Sequence, residues 1–510
     1  MISYTNNKKG FLFLLAAMLF TLTFQSCKKS RSDMGKELAH ITKNKVFKEV
    51  TPEGFAPVFE KALAEKKSTL GNQQLIASFY AGNDYDPVLI MEHLKNGDLK
   101  VLSDYLRRAN EHGIKPETFQ AVELKNLLDK IHDKKSIKTV NDAYETMAQL
   151  ELAIANSLIK YSNAMQYGLV SPRKIYARYY TETKRPDSTS MLHALKVTAL
   201  KNYLDSIQPK DPQYKLMQKA LAEGITAPEI SKEETQRYLI VSLERLRWKN
   251  KPTANKYVVV NIPDYRLDVM ENGKSTLNMK VCVGEGRNMD NNNTLVEYDE
   301  SDKVDRPFSR ETPQLNSVIN SVQVNPIWNI PQSIANKEIM VEAAQDPYYL
   351  SNKNIDVYKG GKKVDDPETI DWANASKSEY DFKQRPGDDN SLGKIKFLFK
   401  NSSSVYLHDT PAQLAFGQTM RAVSHGCVRL EKPQDLALSL FGEGNKYQTI
   451  AKDMKEDNPE PTNITLPNKT PVYLTYITCW PAADGTLQFR PDVYGLDVVL
   501  YAHMKKMLAV

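Results

Sequence analysis

Ser424-His425-Gly426-Cys427-Val428-Arg429 sets a thiol after a histidine and a glycine, and Tyr406-Leu407-His408-Asp409 supplies a second histidine upstream. A free thiol is only a few per cent thiolate at neutral pH, so sulfur nucleophilicity needs a base or a field beside it. Cys427 is the candidate nucleophile. His408 is the candidate base, because imidazole titrates near the working pH. Gly426 leaves room beside the sulfur for an approaching carbonyl, and backbone N–H groups nearby can hold the oxyanion of an acyl-transfer intermediate. Tyr406 shares the face of His408 if the strand is regular, which makes it a candidate for substrate contact or oxyanion support. Asp409 points to the opposite face and is left out of any triad. Ser424 and His425 are candidates for orienting the cleft, and Arg429 for holding a carboxylate by paired hydrogen bonds. Two other readings of these residues stay open. His408, His425 and Cys427 can be metal ligands, although no Cys-x-x-Cys spacing accompanies them; or Cys427 can be an inert core residue.

The elements that must position these residues come in two kinds. With 510 residues the chain exceeds one hydrophobic core, so two or three domains are expected. Its 41% hydrophobic and 25% charged residues are those of a globular protein, and a net charge of +6 gives no argument for a nucleic-acid partner. Residues 51–250 read as helical: Leu99, Leu102, Leu106 and Ala109 keep helical spacing, as do Ala143, Met147, Leu150, Ile154, Leu158 and Tyr161. From residue 251 the period changes. Tyr257 to Ile262 is β-branched, Asn272-Gly273 signals a hairpin, and Leu277, Met279, Val281 and Val283 alternate after it. Ile395, Phe397 and Phe399 alternate before the His408 strand, Pro433 can open a helix that Gly442 closes, and Asp492-Val493-Tyr494-Gly495 is taken to complete the sheet. The pattern predicts an α+β multidomain chain, helical first and β-rich second. Pro326 and Pro331 exclude a central strand between them, and Trp328 there is a candidate apolar wall of a cleft. The polar stretch 338–383 reads as an insertion of lid-like character.

The N-terminus reads as an export signal over 1–26, with Lys8-Lys9 before a short apolar run. Residues 27–50 read as a polar tether. Of the four cysteines, Cys282 and Cys479 sit in apolar runs and are expected to be buried free thiols.

His408 with Ser424-His425-Gly426-Cys427 resembles the L,D-transpeptidases of the YkuD type. Leu243-Glu244-Arg245-Leu246-Arg247-Trp248, Thr312-Pro313 and Val324 to Pro331 extend the likeness. Phe79-Tyr80, Asn110 to Pro116, and Glu151-Leu152 with Tyr161, Gly168 and Pro172 are similar to the scaffold domain of the large YcbB-like members. The chain departs from that pattern in having no room for a separate peptidoglycan-binding module after Ala222. The resemblance implies a helical scaffold followed by a β-rich catalytic domain with a lid. It implies transfer of the acyl group of a peptidoglycan tetrapeptide stem through Cys427 to an acceptor amine, giving 3–3 cross-links, with no metal or organic cofactor. Acylation by carbapenem β-lactams is implied as well. Thr23-Phe24-Gln25-Ser26-Cys27 looks like a lipobox, which implies an acylated Cys27 and a membrane-anchored protein on the periplasmic side. A thiol carboxypeptidase, an enzyme attaching or releasing a protein on peptidoglycan, and a non-catalytic envelope-binding lipoprotein are the alternatives.

Overall fold

The computed structural model describes residues 33–286, 305, 310–457 and 459–508. The signal segment and Cys27 lie outside them. The first body is helical. Its centre is the helix Val140–Tyr167, started by a capping box in which Thr139 and Asp142 satisfy each other's backbone amides. Ala143, Met147, Leu150, Ile154, Leu158 and Tyr161 are all buried along it, as the spacing predicts. Glu151, also on this helix, is buried. It accepts from the amides of Leu89 and Ile90 at 2.8 Å each and from the Tyr80 hydroxyl at 2.9 Å, so a carboxylate caps the start of the helix Val88–His93.

The tether expected over 27–50 is corrected where it is described. Residues Met34–Thr42 form a helix and Lys45–Glu49 a 3-10 turn capped by Asn44. Met34, Leu38 and Phe47 bury themselves in the helical core. These few apolar residues are spaced along one face, and the lysines and glutamates between them hide that pattern in composition.

The second body is a closed sheet with an insertion. Its strands in chain order are β1 (Lys256–Asn261), β2 (Arg266–Glu271), β3 (Lys274–Gly284) and β4 (Leu315–Val324), then β5 (Trp328–Ile330), β6 (Ile355–Lys359), β7 (Lys362–Lys363) and β8 (Tyr380–Gln384) of the insertion, then β9 (Ile395–Phe399), β10 (Leu407–His408), β11 (Ala422–Ser424), β12 (Val428–Leu430) and β13 (Thr462–Thr475). The main sheet runs β11-β3-β12-β10-β9-β4-β13-β1-β2, and β2 pairs again with β3, which closes the ring. Asn272 and Gly273 both take positive φ in the β2–β3 turn, as an Asn-Gly hairpin requires. One face sends Val258, Val281, Ile395, Phe397, Leu407, Val428 and Leu430 into the apolar core. Strand alternation therefore puts His408 and Arg429 on the other face.

The insertion has its own core, built from Ile330, Ile339, Val357, Trp372 and Phe382 among others, around the sheet β5-β8-β6-β7. The body thus begins at β5, before the boundary expected at 338. β5 lies at the edge of its sheet, where flanking prolines cost no ladder bond.

Asp492 to Gly495 does not complete the sheet. It is a turn into the helix Leu496–Met504, with Gly495 at positive φ and the Asp492 carboxylate accepting from the amides of Asp497 and Val498. An aspartate capping a helix start reads in sequence much like a turn between strands.

The helix Lys232–Arg247 joins the two bodies. Glu244 and Arg247, three residues apart on one face, form a buried ion pair at 2.8 Å. Glu244 also accepts from Val170 N and Trp248 Nε1, and Arg247 donates to Tyr214 Oη and the His112 carbonyl. On a neighbouring face Arg245 pairs with Asp497 of the second body, and Asp497 accepts from Thr478.

Candidate active site

β10 lies between β9 and β12, with His408 opposite Lys396 on one side and Arg429 on the other. Cys282 of β3 continues the row beyond Arg429. All four side chains share the face away from the core. Tyr406 and Cys427 sit one step before the β10–β12 pairing, where Val428 N donates to Tyr406 O at 3.1 Å. Alternation returns their side chains to the same face. Cys427 is partly exposed, and the amide and hydroxyl of Tyr406 favour its thiolate form. Diagonal neighbours on one face are about 7–8 Å apart at the backbone, a span that an imidazole and a thiol can close.

His408 is buried, with Nδ1 at 2.5 Å from the backbone oxygen of Asp409. The ring donates from Nδ1, so the lone pair is on Nε2. Gly393 leaves room for the Asp409 side chain. It has φ +59°, and a Cβ there would stand 2.4 Å from the Asp409 carboxylate. That carboxylate is occupied by the amides of Lys394 and Thr410, at 2.8 and 2.7 Å, and takes no part in a triad. Burial, with Arg429 and Lys396 adding positive charge, pushes the imidazole down to about 3. Burial raises the Cys427 thiol above its ordinary value, opposed by the Tyr406 amide and hydroxyl and by Arg429 and Lys396. The resting pair is therefore a neutral thiol and a neutral imidazole. Such a pair suits base-assisted attack in which the proton leaves as the sulfur–carbon bond forms.

The loop ahead of Cys427 is over-determined. Ser424 Oγ donates to Cys427 O at 2.6 Å and accepts from Gly426 N at 3.1 Å. Glu285 N donates to Ser424 O at 2.9 Å, and Thr312 Oγ1 donates to Gly426 O at 2.8 Å while accepting from Gly284 N at 2.8 Å. Tyr494 Oη donates to Gly284 O at 2.7 Å. Gly426 has φ +117°, a conformation that favours glycine. One expectation is corrected here: the Gly426 amide is spent on Ser424 and is not available for an oxyanion. Among the described residues the Cys427 amide has no acceptor, which leaves it as the available backbone donor at this point, with the Tyr406 hydroxyl facing the sulfur.

Gly284 tests this support. A Cβ there would meet Arg310 O at 1.8 Å and Thr312 N at 2.7 Å. Gly284→Ala is expected to cost about 1–3 kcal/mol, towards the upper end because the clash is with backbone. Gly417→Ala, with open space around its Cβ, is expected to be near neutral. Urea denaturation of both variants checks the contrast.

His425 faces the insertion. Its Nε2 is 2.7 Å from Glu338 Oε1, which is also 2.7 Å from Arg310 Nη2, and Arg310 Nη1 is 2.8 Å from Glu285. Glu338 sits in a single π-helical turn, Ala335–Ile339. The insertion is thus fastened to the loop bearing Cys427. These groups are partly exposed, so the fastening is worth about 1 kcal/mol or less. Glu338→Ala is expected to speed hydrogen exchange three- to fivefold in residues 332–345 and 424–427, with little change in melting temperature.

Trp328 is not among the residues this face brings together. It lies in β5, packed against the insertion's own core. Arg429 makes no hydrogen bond or ion pair with a described residue. Cys282 and Cys479 are free and buried. Sequence reasoning missed Lys396, Thr312, Arg310, Glu338 and Tyr494 as site residues. Lys396 alone was findable by parity, being the polar position in an alternating strand beside His408.

Residues 255–440 match the family model of the L,D-transpeptidase catalytic domain (YkuD), and residues 74–221 match that of the scaffold domain. A Haemophilus influenzae protein, named provisionally as an L,D-transpeptidase, is 29% identical over 327 residues. The match covers 63% of this chain and 61% of the relative's length.

Proposed function

We propose that this chain, similar to the YkuD L,D-transpeptidase catalytic domain over residues 255–440 and to the scaffold domain over residues 74–221, is an L,D-transpeptidase in which Cys427 is the nucleophile of a peptidoglycan acyl transfer. The observation that carries this is a partly exposed Cys427 on the same sheet face as an imidazole whose Nδ1 is fixed by Asp409 O. The sulfur attacks the carbonyl of the third residue, a meso-diamino acid, in a tetrapeptide stem as the thiol proton passes to His408 Nε2. The Cys427 amide and Tyr406 hydroxyl stabilise the oxyanion. The carbon–nitrogen bond breaks, His408 returns the proton to the leaving D-alanine amine, and a thioester remains. An acceptor amine attacks the thioester and His408 takes its proton. The amide of a 3–3 cross-link forms and the thiol is restored by the same proton.

Arg429, free of protein partners, pairs with a stem carboxylate. The insertion fastened through Glu338 covers the cleft. Cys27 carries the lipid, and the domain works on the periplasmic side of the envelope. The accessible thiol also reacts with carbapenem β-lactams, opening the ring to a thioester.

The test is incubation of the chain beginning after Cys27 with disaccharide-tetrapeptide, with Cys427→Ala as control and products read by mass spectrometry. A dimer lacking one D-alanine, absent from the control, is the expected result. Tripeptide alone identifies a carboxypeptidase, and no product from either protein removes the transpeptidase reading.

A further inference from the structure

Lys396 is a half-buried lysine on the catalytic face whose ammonium group has no hydrogen bond or ion pair with a described residue. Its contact is the Tyr406 ring, 5.4 Å from Nζ to the centroid. Arg429 is likewise without a protein counter-charge. The register puts one on each side of His408, on adjacent strands and on one face. Both cations act on the Cys427 sulfur. Elsewhere near the site the chain pairs its cations: Arg310 with Glu285 and Glu338, and Lys394 with Asp388. Burying part of an ammonium group without a partner is unfavourable, and burial lowers the basicity of Lys396. Two such cations around one thiol make a place for an anion that the chain itself does not supply.

We propose that Lys396 and Arg429 together form a carboxylate subsite straddling His408 and Cys427, in which Lys396 is a specificity-determining residue for donors that carry a free carboxylate next to the reacting carbonyl. This rests on Cys427 being the nucleophile. A carboxylate seated there satisfies both cations. Its single negative charge offsets one of the two positive charges beside His408, so the imidazole accepts the thiol proton more readily once the donor is in place. A donor bearing a carboxamide at the same position would bind without neutralising either charge.

Charge selection at the sulfur can be read without the natural substrate. Iodoacetate and iodoacetamide both alkylate a thiol by displacing iodide, with the thiol proton released, and they differ by the carboxylate. Full-length protein, Lys396→Met, Lys396→Gln and Lys396→Arg are each alkylated by both reagents, and the rate at Cys427 is followed by peptide mass spectrometry. The native chain is expected to favour iodoacetate, relative to free cysteine, by roughly fivefold or more. Lys396→Met and Lys396→Gln are expected to lose at least about threefold of that preference while still reacting with iodoacetamide, and Lys396→Arg to restore it. A Cys427 preference equal to that of free cysteine, or one unchanged in both neutral variants, overturns the subsite. With muropeptides, Lys396→Met is expected to raise KM more than it lowers kcat for the carboxylate donor, and by a factor at least about threefold larger than for a carboxamide donor. Equal losses on both donors overturn the specificity role. Absence of muropeptide turnover by the native chain, with the iodoacetate preference intact, removes the transpeptidase reading and leaves the anion subsite standing.

Discussion

His408→Ala is expected to slow acylation of Cys427 roughly 10²–10⁴-fold, the range a positioned general base supplies. The argument runs through the protonation states. Burial, aided by Arg429 and Lys396, holds the imidazole at about 3, so it is already the free base throughout the range from pH 5 to 8. Burial holds the thiol above its ordinary value, so it stays protonated over the same range. The native rate is therefore expected to be nearly flat between pH 5 and 8, because neither partner titrates there. Without the imidazole, only the pre-ionised thiolate reacts, and its fraction rises about tenfold per pH unit below the thiol pKa. The variant's rate should climb accordingly over the same range. Stopped-flow acylation at several pH values checks both slopes. A native rate that falls tenfold between pH 7 and 6 would mean that His408 is protonated near neutrality and that the pair rests as an ion pair. The folded-state pKa of His408 is depressed below its unfolded value. Its contribution to stability is thus present above the unfolded pKa near 6.5 and lost as pH falls from there through about 3.

Glu244→Ala is expected to destabilise the chain by about 3–5 kcal/mol, since it leaves Arg247 charged, buried and without its partner. The loss reaches further than the pair. Val170 N and Trp248 Nε1 lose their acceptor, and Arg247 is left with Tyr214 and the His112 carbonyl. Tyr214 in turn hydrogen-bonds His112 Nδ1 at 2.7 Å. This cluster fixes the helix Lys232–Arg247 to the first body, while Arg245 fixes it to the second. The double variant Glu244→Leu with Arg247→Met removes both charges and is expected to recover most of the loss, because desolvating a buried pair nearly cancels its attraction. Urea denaturation of Glu244→Leu, of Arg247→Met and of the double variant closes the cycle. A Glu244→Ala cost below about 1 kcal/mol would show that water reaches Arg247 and that the junction is not dry.

The shared face of His408 and Arg429 was legible because it obeys the simplest rule in a sheet. His408 and Arg429 alternate with core residues Leu407, Val428 and Leu430, and period two is visible in sequence. The hairpin at Asn272-Gly273 and the helix Pro433–Phe441 were legible for similar local reasons. The supports of the Cys427 loop were not. Thr312, Arg310 and Tyr494 come from distant segments that meet at Gly284 only after the sheet closes, and no local pattern encodes that meeting. Which backbone amides near Cys427 are free was not legible, because sequence does not show that Ser424 turns back to claim that of Gly426. Glu338 lies in a polar stretch whose composition announces a surface insertion but not which carboxylate reaches His425. The segment Met34–Glu49 hid its three core residues among charges. Asp492 to Gly495 reads as part of the sheet because Val493 and Tyr494 are β-formers, and the capping role of Asp492 depends on the helix Leu496–Met504 that follows.

The most direct measurement is the intact mass of the protein during reaction with a tetrapeptide donor, quenched in acid within the first turnovers. A covalent adduct of the donor less D-alanine, mapped to Cys427 and missing in Cys427→Ala, is the predicted result. Turnover of the donor by Cys427→Ala at the native rate would contradict the account.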